Sequence, residues 1–230
     1  MTTTATAPAA PAAPAPKAKS KAKAKAKAKK GAAAKHTAFS LFQKNFESVG
    51  HMIDLYEGIE KLKVQIETTW LLRGAVVFMV SAFDTYFHDR IKYGISQVHA
   101  DMPDALKKHK ITIGDLKAWE RGRRKGNVIR NWIASHLSTV PLQSRERIAD
   151  YMKYIGIDGL WSKVEKNNEK RDELLEKLDE IVKRRNQIAH EGDRKSARNT
   201  GKKLRSISLA QVKEWAKFVE DLVKSLDKVV

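Results

Sequence analysis

The chain has 230 residues, of which 42% are hydrophobic and 31% are charged, and its formal net charge is +18. This length and composition are typical of one soluble globular domain with a tail. The absence of cysteine excludes disulfides, thiolate metal sites and cysteine nucleophiles. The excess positive charge favours a polyanion, nucleic acid above all, as the partner.

The first 35 residues consist almost wholly of Thr, Ala, Pro and Lys, with nine lysines and no acidic residue. Such a segment has little apolar surface to bury, so we predict that residues 1–37 are disordered and that residues 38–230 form the folded domain. The tail is similar to the Ala/Lys/Pro-rich tails of bacterial histone-like proteins. This similarity implies a sequence-independent tether to RNA or DNA. A solvated leader without such a role is the alternative.

The N-terminus lacks the charged and apolar regions of a secretory signal. We therefore expect a cytoplasmic protein, or one associated with the nucleoid through its tail. The most apolar segment contains Arg73 and is shorter than the roughly 20 residues that a membrane span needs. No membrane partner is expected.

Two long helices are predicted to open the domain. The segment Ser40–Gln43 fits a capping box, and apolar residues then recur at spacings of three and four as far as Ile66. The second helix begins at Thr68 or Thr69, and its first four turns are apolar on nearly every side. That distribution is typical of the central helix of a bundle.

Shorter helices are predicted at about residues 113–121, 127–137 and 141–154. Two long helices follow, one over residues 167–191 with a stop at Gly192, and one that begins at the capping box Ser208–Gln211. The sequence therefore predicts an all-α antiparallel helical bundle. Its three or four long helices have the short helices inserted between the second and the penultimate.

The penultimate long helix carries a positive charge on its apolar face. Arg185 shares one side of the helix with Leu178 and Ile181 and interrupts an otherwise apolar stripe. A buried guanidinium needs a partner, because burying it alone would cost several kcal/mol. Asp84 in the second helix is the candidate, although it could instead lie exposed where that helix leaves the core. We interpret Arg185 and His190 as lining a functional pocket.

Several chemistries lack their motifs in this chain. There is no Gly-rich phosphate loop, no Gly-x-Ser-x-Gly elbow and no His-Glu-x-x-His helix. The seven histidines show no spacing typical of ligands, so we expect no metal and no cofactor. What remains is a metal-free chemistry of arginine and histidine, or no chemistry.

The segment Arg185-Asn186-Gln-Ile-Ala-His190 resembles the signature of the HEPN superfamily. In that signature an arginine, usually followed by a polar residue such as Asn, precedes a histidine with four to six residues between them. HEPN domains are helical bundles in which this motif ends a penultimate core helix, and a loop and a last helix follow. The apolar second helix, with Asp84, looks like that of the RiboL-PSP branch. The resemblance covers residues 40–230 and implies an HEPN-like bundle.

This resemblance implies a metal-independent endoribonuclease that works as a homodimer. His190 would be the general base for a ribose 2′-OH or the general acid for the leaving 5′-oxygen. Arg185 would bind the scissile phosphate, Asn186 would support it, and Asp84 would orient the guanidinium. By family analogy the protein would be a toxin or a phage-defence effector, with an antitoxin or an activating protein as a further partner.

The loop after the motif is basic and is expected to bind the RNA backbone without sequence choice. The residues concerned are Arg194, Lys195, Arg198, Lys202, Lys203 and Arg205.

Alternatives to this interpretation stay open. Arg130 and His136, with five intervening residues, also fit the motif, although their place in the helix order favours Arg185 and His190. Alternatively, these charges merely complement a helix dipole, in which case the protein is a non-catalytic nucleic-acid-binding module. A HEPN scaffold that binds a partner protein is the third possibility.

The spacing of the motif raises a geometric difficulty. On a regular helix, residues five apart point about 140° from each other. Arg185 and His190 can therefore converge only if the helix loosens near Gly192, or if a second chain completes the site.

Overall fold

The computed structural model describes residues 37–95, 113–121, 125–195 and 203–230. Within these ranges the chain is helical, apart from turns and one isolated β-bridge between Arg194 and Leu204. The predicted disordered tail lies outside the described residues except for Thr37. We number the helices α1 (Ala38–Lys61), α2 (Thr69–Ile95), α3 (Ile113–Arg121), α4 (Lys125–Leu137), α5 (Arg145–Met152, followed by the 3₁₀ turn Lys153–Ile155), α6 (Leu160–Val164), α7 (Asn168–Glu191) and α8 (Leu209–Val229).

The helices α1 and α2 form an antiparallel hairpin. Near the turn, the Thr68 hydroxyl donates a hydrogen bond to the Glu60 carboxylate. At the other end, the ring of Phe42 at the start of α1 lies 6.1 Å from the ring of Tyr86 in α2. The two helices therefore pack along most of their length, and their shared interface forms a large part of the core.

The last two long helices continue the alternation of directions. Lys177 of α7 forms an ion pair with Glu214 near the start of α8, while Arg184 near the end of α7 reaches the Ser206 carbonyl just before α8. Lys213 of α8 pairs with Glu57 near the end of α1 at 2.6 Å. The predicted all-α antiparallel bundle is confirmed, with the short helices inserted between α2 and α7.

The central helix of the bundle is α2, as its composition predicts. Its buried residues cover most of its circumference and run from Leu71 to Ile95, with α1, α7 and α8 among the helices packed around it, while one face that includes Trp70 and Phe78 is exposed. By length and hydropathy alone this helix could cross a bilayer, and it is the one described helix that could. In the structure it is largely covered by its neighbours, as expected for the core helix of a bundle.

Both ends of α1 differ from the prediction. The cap is Thr37, whose Oγ1 accepts from the Ser40 N–H at 3.1 Å, so the helix begins three residues before the predicted box. It ends at Lys61 rather than near Ile66, because Lys63 adopts a left-handed φ of 51° that no helix can continue through. As a result Leu62 and Ile66 are 74% and 56% exposed. The apolar periodicity that continues to Ile66 therefore predicted helix where the chain has none.

The prediction for the short helices also differs from the structure. The prediction that a helix begins at Pro141 is wrong, because α5 begins at Arg145 with Ser144 as its cap. The short helix α6 was not predicted at all, and it follows Gly159, which has a left-handed φ of 62°. By contrast α3 has the predicted bounds, and the predicted cap of α8, Ser208, is confirmed. The helix α7, predicted to begin near Asn167, begins at Asn168 with Asn167 as its cap.

Candidate functional site

The motif helix α7 ends in a well-defined cap. It remains α-helical through Glu191 and stops at Gly192, whose φ of 61° is left-handed and whose lack of a Cβ makes that conformation inexpensive. The Gly192 N–H and the next N–H, that of Asp193, both donate to the Gln187 carbonyl, the latter at 2.9 Å. The helix therefore ends where the sequence predicts, immediately after the motif.

A buried carboxylate joins this helix end to α2. Asp193 is fully buried, and its Oδ2 accepts hydrogen bonds from Arg73 Nε at 2.7 Å and from Arg184 Nη2 at 2.9 Å. The two arginines also donate to the Arg205 carbonyl. The two arginine guanidinium groups thus share the Asp193 carboxylate and backbone carbonyl acceptors. These contacts offset the free-energy cost of burying two positive charges.

Arg184 therefore has the role that the sequence suggested for its neighbour. Arg184, not Arg185, forms the buried ion pair of α7, and its partner is Asp193 rather than Asp84. Burial lowers the pKa of the Arg184 guanidinium, and the nearby charges of Arg73 and Arg205 act in the same direction against Asp193. The sequence concealed this pair because Asp193 lies beyond the helix stop, where helical periodicity no longer applies.

The side chain of Arg185 has different surroundings. Its Nη1 donates to Asn186 Oδ1 at 3.1 Å, and its Nε is buried without a hydrogen-bond partner among the described residues. The guanidinium is partly buried, and its charge acts on Asp84 without an ion pair within 4.0 Å. The predicted neighbourhood of Arg185 and Asp84 is thus present, whereas a direct contact between them is not.

Asp84 is held in place by a different segment. Its Oδ1 accepts a hydrogen bond from the Leu142 N–H, and the side chain of Gln143 lies close enough to act on the pKa of the carboxylate. Burial raises the pKa of Asp84 above its ordinary value, while the charge of His88, the Leu142 N–H and the charge of Arg185 oppose that rise. Asp84 is therefore only partly exposed, and it forms no ion pair with Arg185. It lies between several polar groups.

His88 is a member of this group that the sequence analysis missed. Its Nε2 lies 3.7 Å from Asp84 Oδ1, one helical turn away, and both side chains are about a quarter exposed, at 24% and 23%. The spacing of four between Asp84 and His88 was the available signal, since residues so spaced share one face of a helix. Among the described residues, no three His, Asp or Glu side chains are grouped as a metal site would require.

His190 lies exposed in the last turn of α7. It makes no hydrogen bond or ion pair with any residue that the structure describes. α7 stays α-helical through Glu191, so the helix does not loosen between Arg185 and His190. His190 therefore points about 140° away from Arg185 within one chain. Of the two conditions set by the sequence, only completion by a second chain is left.

The alternative pair is less suited to chemistry. His136 lies partly buried between two aromatic rings, 5.7 Å from Trp132 and 6.2 Å from Tyr151, and its Nε2 is 3.4 Å from the Tyr151 hydroxyl. Such stacking is typical of a histidine that packs against a core. The side chain of Arg130 lies outside the described residues. The structure thus gives His136 a packing role rather than an open site.

The two described ends of the basic loop, residues 193–195 and 203–205, pair with each other, and we call these two segments the basic hairpin. The Lys195 N–H donates to the Lys203 carbonyl at 3.1 Å, and the Arg205 N–H donates to the Asp193 carbonyl at 2.8 Å. Of the predicted nucleic-acid-binding residues, Arg194, Lys195 and Lys203 are exposed, while Arg198 and Lys202 lie outside the described residues. Arg205 differs from them, because its guanidinium pairs with Glu191 at 3.2 Å.

Comparison with known proteins agrees with this arrangement of helices. Residues 40–230 match the family described as RiboL-PSP-HEPN, so the match covers the whole described bundle from the first turn of α1 to the end of the chain. No curated protein and no solved structure matches the chain. With its motif helix, its central apolar helix and its last helix in the expected order, the chain belongs to the RiboL-PSP-HEPN family.

Proposed function

We propose that the protein is a metal-independent endoribonuclease that cleaves RNA through attack of the ribose 2′-OH on the adjacent phosphate. Membership of the RiboL-PSP-HEPN family supports a nuclease or other RNA-related role. The single observation that carries the proposal is the contrast between the two adjacent arginines of α7. Arg184 Nη2 bonds to Asp193 and to two backbone carbonyls, whereas Arg185 bonds only to Asn186 among the described residues.

The free donors of Arg185 suit a phosphate. A guanidinium can offer two parallel N–H groups to two phosphate oxygens, and it stabilises the negative charge that accumulates there in the transition state. Asn186 and Asp84 would restrict its orientation, the first by a hydrogen bond and the second by its charge. Nothing in the described structure competes for those donors as Asp193 does for those of Arg184.

His190 supplies the proton transfer in this proposal. An imidazole can remove the 2′-OH proton or protonate the 5′-oxygen. Since Arg185 and His190 diverge on one helix, we propose a homodimer in which Arg185 of one chain acts with His190 of the other. The products would be a 2′,3′-cyclic phosphate and a 5′-OH, and DNA would resist because it lacks the 2′-OH.

Substrate affinity would come from the basic hairpin and the lysine tail. Arg194, Lys195 and Lys203 are exposed on the segment that directly follows the motif. Contacts of this kind neutralise phosphates without reading sequence. The biological role we propose is that of a toxin or phage-defence effector in the cytoplasm or on the nucleoid, kept in check by an antitoxin or switched on by an activating protein.

The test is incubation of the full-length protein with mixed RNA in excess EDTA. Four variants accompany the wild type: Arg185→Ala, His190→Ala, and the matched controls Arg171→Ala and His51→Ala. Arg171 is on the same helix about 21 Å away, and His51 is exposed on α1. We expect cleavage by the wild type and both controls, with loss of about 100-fold or more in the two motif variants. Sensitivity of the product ends to polynucleotide kinase would identify the cyclic phosphate.

The exposed basic hairpin also favours a second candidate, a non-catalytic module that binds nucleic acid. In that case all five proteins would bind RNA in a salt-sensitive manner and none would cleave it. The third candidate, a HEPN scaffold for a partner protein, would give a clean dimer without either activity. Cleavage that is lost only in Arg185→Ala and His190→Ala would exclude both alternatives.

A further inference from the structure

The carboxylate of Asp84 and the imidazole of His88 form a pair on the surface of α2. Asp84 Oδ1 lies 3.7 Å from His88 Nε2. The same oxygen accepts a hydrogen bond from the Leu142 N–H. The backbone that carries the pair is firmly placed, because Phe83 and Phe87, which immediately precede each of the two residues, are fully buried. The carboxylate beside the imidazole is therefore restrained by its backbone and by the Leu142 N–H.

Asp84 also connects His88 with Arg185. The charges of both residues act on the same carboxylate, His88 from the next turn of α2 and Arg185 from α7. Other charges near this face of α2 are those of Asp89 and Lys92. Within one chain His190 points about 140° from Arg185. His88, by contrast, lies beside the carboxylate of Asp84, on which the charge of Arg185 acts. Among the described residues, His88 is thus an imidazole that lies 3.7 Å from a carboxylate on which the charge of the phosphate-binding arginine also acts.

Cleavage by a 2′-OH needs two proton transfers. As the 2′-oxygen bonds to phosphorus its proton must be removed, and as the bond between phosphorus and the 5′-oxygen breaks, that oxygen must gain a proton. One histidine can serve both ends only in succession. A neighbouring carboxylate stabilises an imidazolium by Coulomb attraction, and the exposed part of the ring leaves it accessible to substrate.

We propose that His88 is a second catalytic residue, the general acid that protonates the leaving 5′-oxygen, with Asp84 as its positioning residue. This inference rests on the proposed ribonuclease function. In the step, the 2′-OH proton passes to His190, the 2′-oxygen bonds to phosphorus, and the bond to the 5′-oxygen breaks. The proton of His88 goes to that oxygen, so the products are the cyclic phosphate and a neutral 5′-OH. Arg185 holds the non-bridging oxygens.

A change of leaving group tests this role directly. Two RNA oligonucleotides of one sequence are compared, one normal and one with sulfur in place of the 5′-oxygen at a single position. A thiolate leaves without needing a proton, so a general acid contributes little to its departure. The proteins are wild type, His88→Ala, His88→Gln, Arg185→Ala and the control His51→Ala, all full length, with folding checked by thermal unfolding.

We expect both His88 variants to cleave the normal oligonucleotide about 100-fold more slowly than the wild type. On the sulfur oligonucleotide they should approach the wild-type rate. Arg185→Ala should be slow on both, since phosphate binding is needed in either case, and His51→Ala should match the wild type. A structural role for His88 would lower both rates together, so the difference between the substrates distinguishes the two roles.

The outcomes separate this inference from the function on which it rests. If the wild type cleaves neither oligonucleotide, the proposed nuclease function itself fails. If the wild type cleaves and Arg185→Ala does not, the nuclease stands. Under those conditions, His88 variants that match His51→Ala, or that lose activity equally on both substrates, overturn the role of His88. His88→Gln preserves much of the side-chain volume and decides the matter if the alanine variant unfolds.

Discussion

Arg73 and Asp193 are 120 positions apart in the sequence, and their side chains meet at 2.7 Å in a largely buried ion pair. The pair joins the first turns of the central helix α2 to the residue that follows the motif helix α7. Asp193 also accepts from Arg184 and anchors the hairpin through its carbonyl, which bonds to the Arg205 N–H. Its own φ of 57° is left-handed, a conformation that Asp tolerates better than most residues. Asp193 thus joins the end of α7 to the start of α2 through its carboxylate, and to the base of the basic hairpin through its main-chain carbonyl.

We predict that Asp193→Asn destabilises the fold by about 3 kcal/mol, because it leaves two buried guanidinium groups without a counter-charge. Asn tolerates the same backbone conformation, so the substitution removes the charge with little added strain. Urea unfolding of the variant and of Asp172→Asn, an exposed carboxylate in the first turns of α7, would measure the difference. A loss equal to that of the control would show that the buried cluster contributes no net stability.

The raised pKa of Asp84 predicts a dependence of stability on pH. Since the folded state binds this proton more tightly than the unfolded state, stability falls as pH rises from the ordinary carboxyl range through the raised pKa. Asp84→Asn removes that fall while its amide oxygen can still accept from the Leu142 N–H. Its unfolding free energy should therefore equal or exceed that of the wild type at pH 7 and lose the difference near pH 4. A variant less stable than the wild type at pH 7 would contradict this account.

Two glycines in long helices should respond to alanine in opposite ways. A Cβ on Gly94 would lie 2.7 Å from Ile155 Cγ2 and 3.0 Å from its Cβ, so Gly94→Ala should destabilise by about 1–3 kcal/mol. A Cβ on Gly50 in α1 would meet nothing within 4 Å, and Gly50→Ala should stabilise by about 0.5–1 kcal/mol. Thermal or urea unfolding of the two variants provides the comparison. Similar changes in both would mean that α2 and the 3₁₀ turn are less tightly packed than described.

The exposed charges of the hairpin should appear in the salt dependence of RNA binding. Each of Arg194→Ala, Lys195→Ala and Lys203→Ala should lower the slope of log K against log salt by about 0.7 for single-stranded RNA, if each contacts one phosphate. Affinity should fall to a similar degree for unrelated sequences. The control is Lys166→Ala, an exposed lysine just before the far end of α7. An unchanged slope in all three variants would locate RNA binding elsewhere, for example in the lysine tail.

A site shared between two chains predicts complementation. In a heterodimer of Arg185→Ala with His190→Ala, one site combines the intact Arg185 of one chain with the intact His190 of the other. After random exchange of subunits, the mixture should regain about a quarter of the wild-type activity, although each variant alone is inactive. Mixing each variant with His51→Ala controls for dilution. Failure of the mixture to exceed the separate variants would mean that the motif acts within one chain.

Short-range rules predicted much of the fold because the signals they use are local. The caps Asn167 and Ser208, the stop at Gly192 and the apolar sides of α2 all depend on neighbours within a few residues. These rules predicted the wrong helix boundary where two local signals indicated different ends for the same helix. Ser40 fitted a capping box, yet Thr37 was equally suited and closer to the true start. Ile66 continued an apolar period that the left-handed Lys63 had already ended.

The candidate site was predictable only in part. The motif residues Arg185, Asn186 and His190 could be selected from the sequence, because their order on a penultimate helix resembles a known signature. The sequence could not show which of two adjacent arginines would be neutralised by a carboxylate. The choice between Arg184 and Arg185 depended on Asp193, whose backbone turns back into the core after the helix stop.

By itself the sequence determined the helical class, the position of the central helix and the basic character of the chain, because apolar period, composition and charge are properties of local stretches. Only the tertiary structure decided which charges are satisfied and which are free. It paired Arg184 with Asp193, left Arg185 without an ion pair among the described residues, and placed His88 beside Asp84. The physical reason is that the energy of a buried charge depends on partners far away in the chain, which only packing brings within hydrogen-bonding distance.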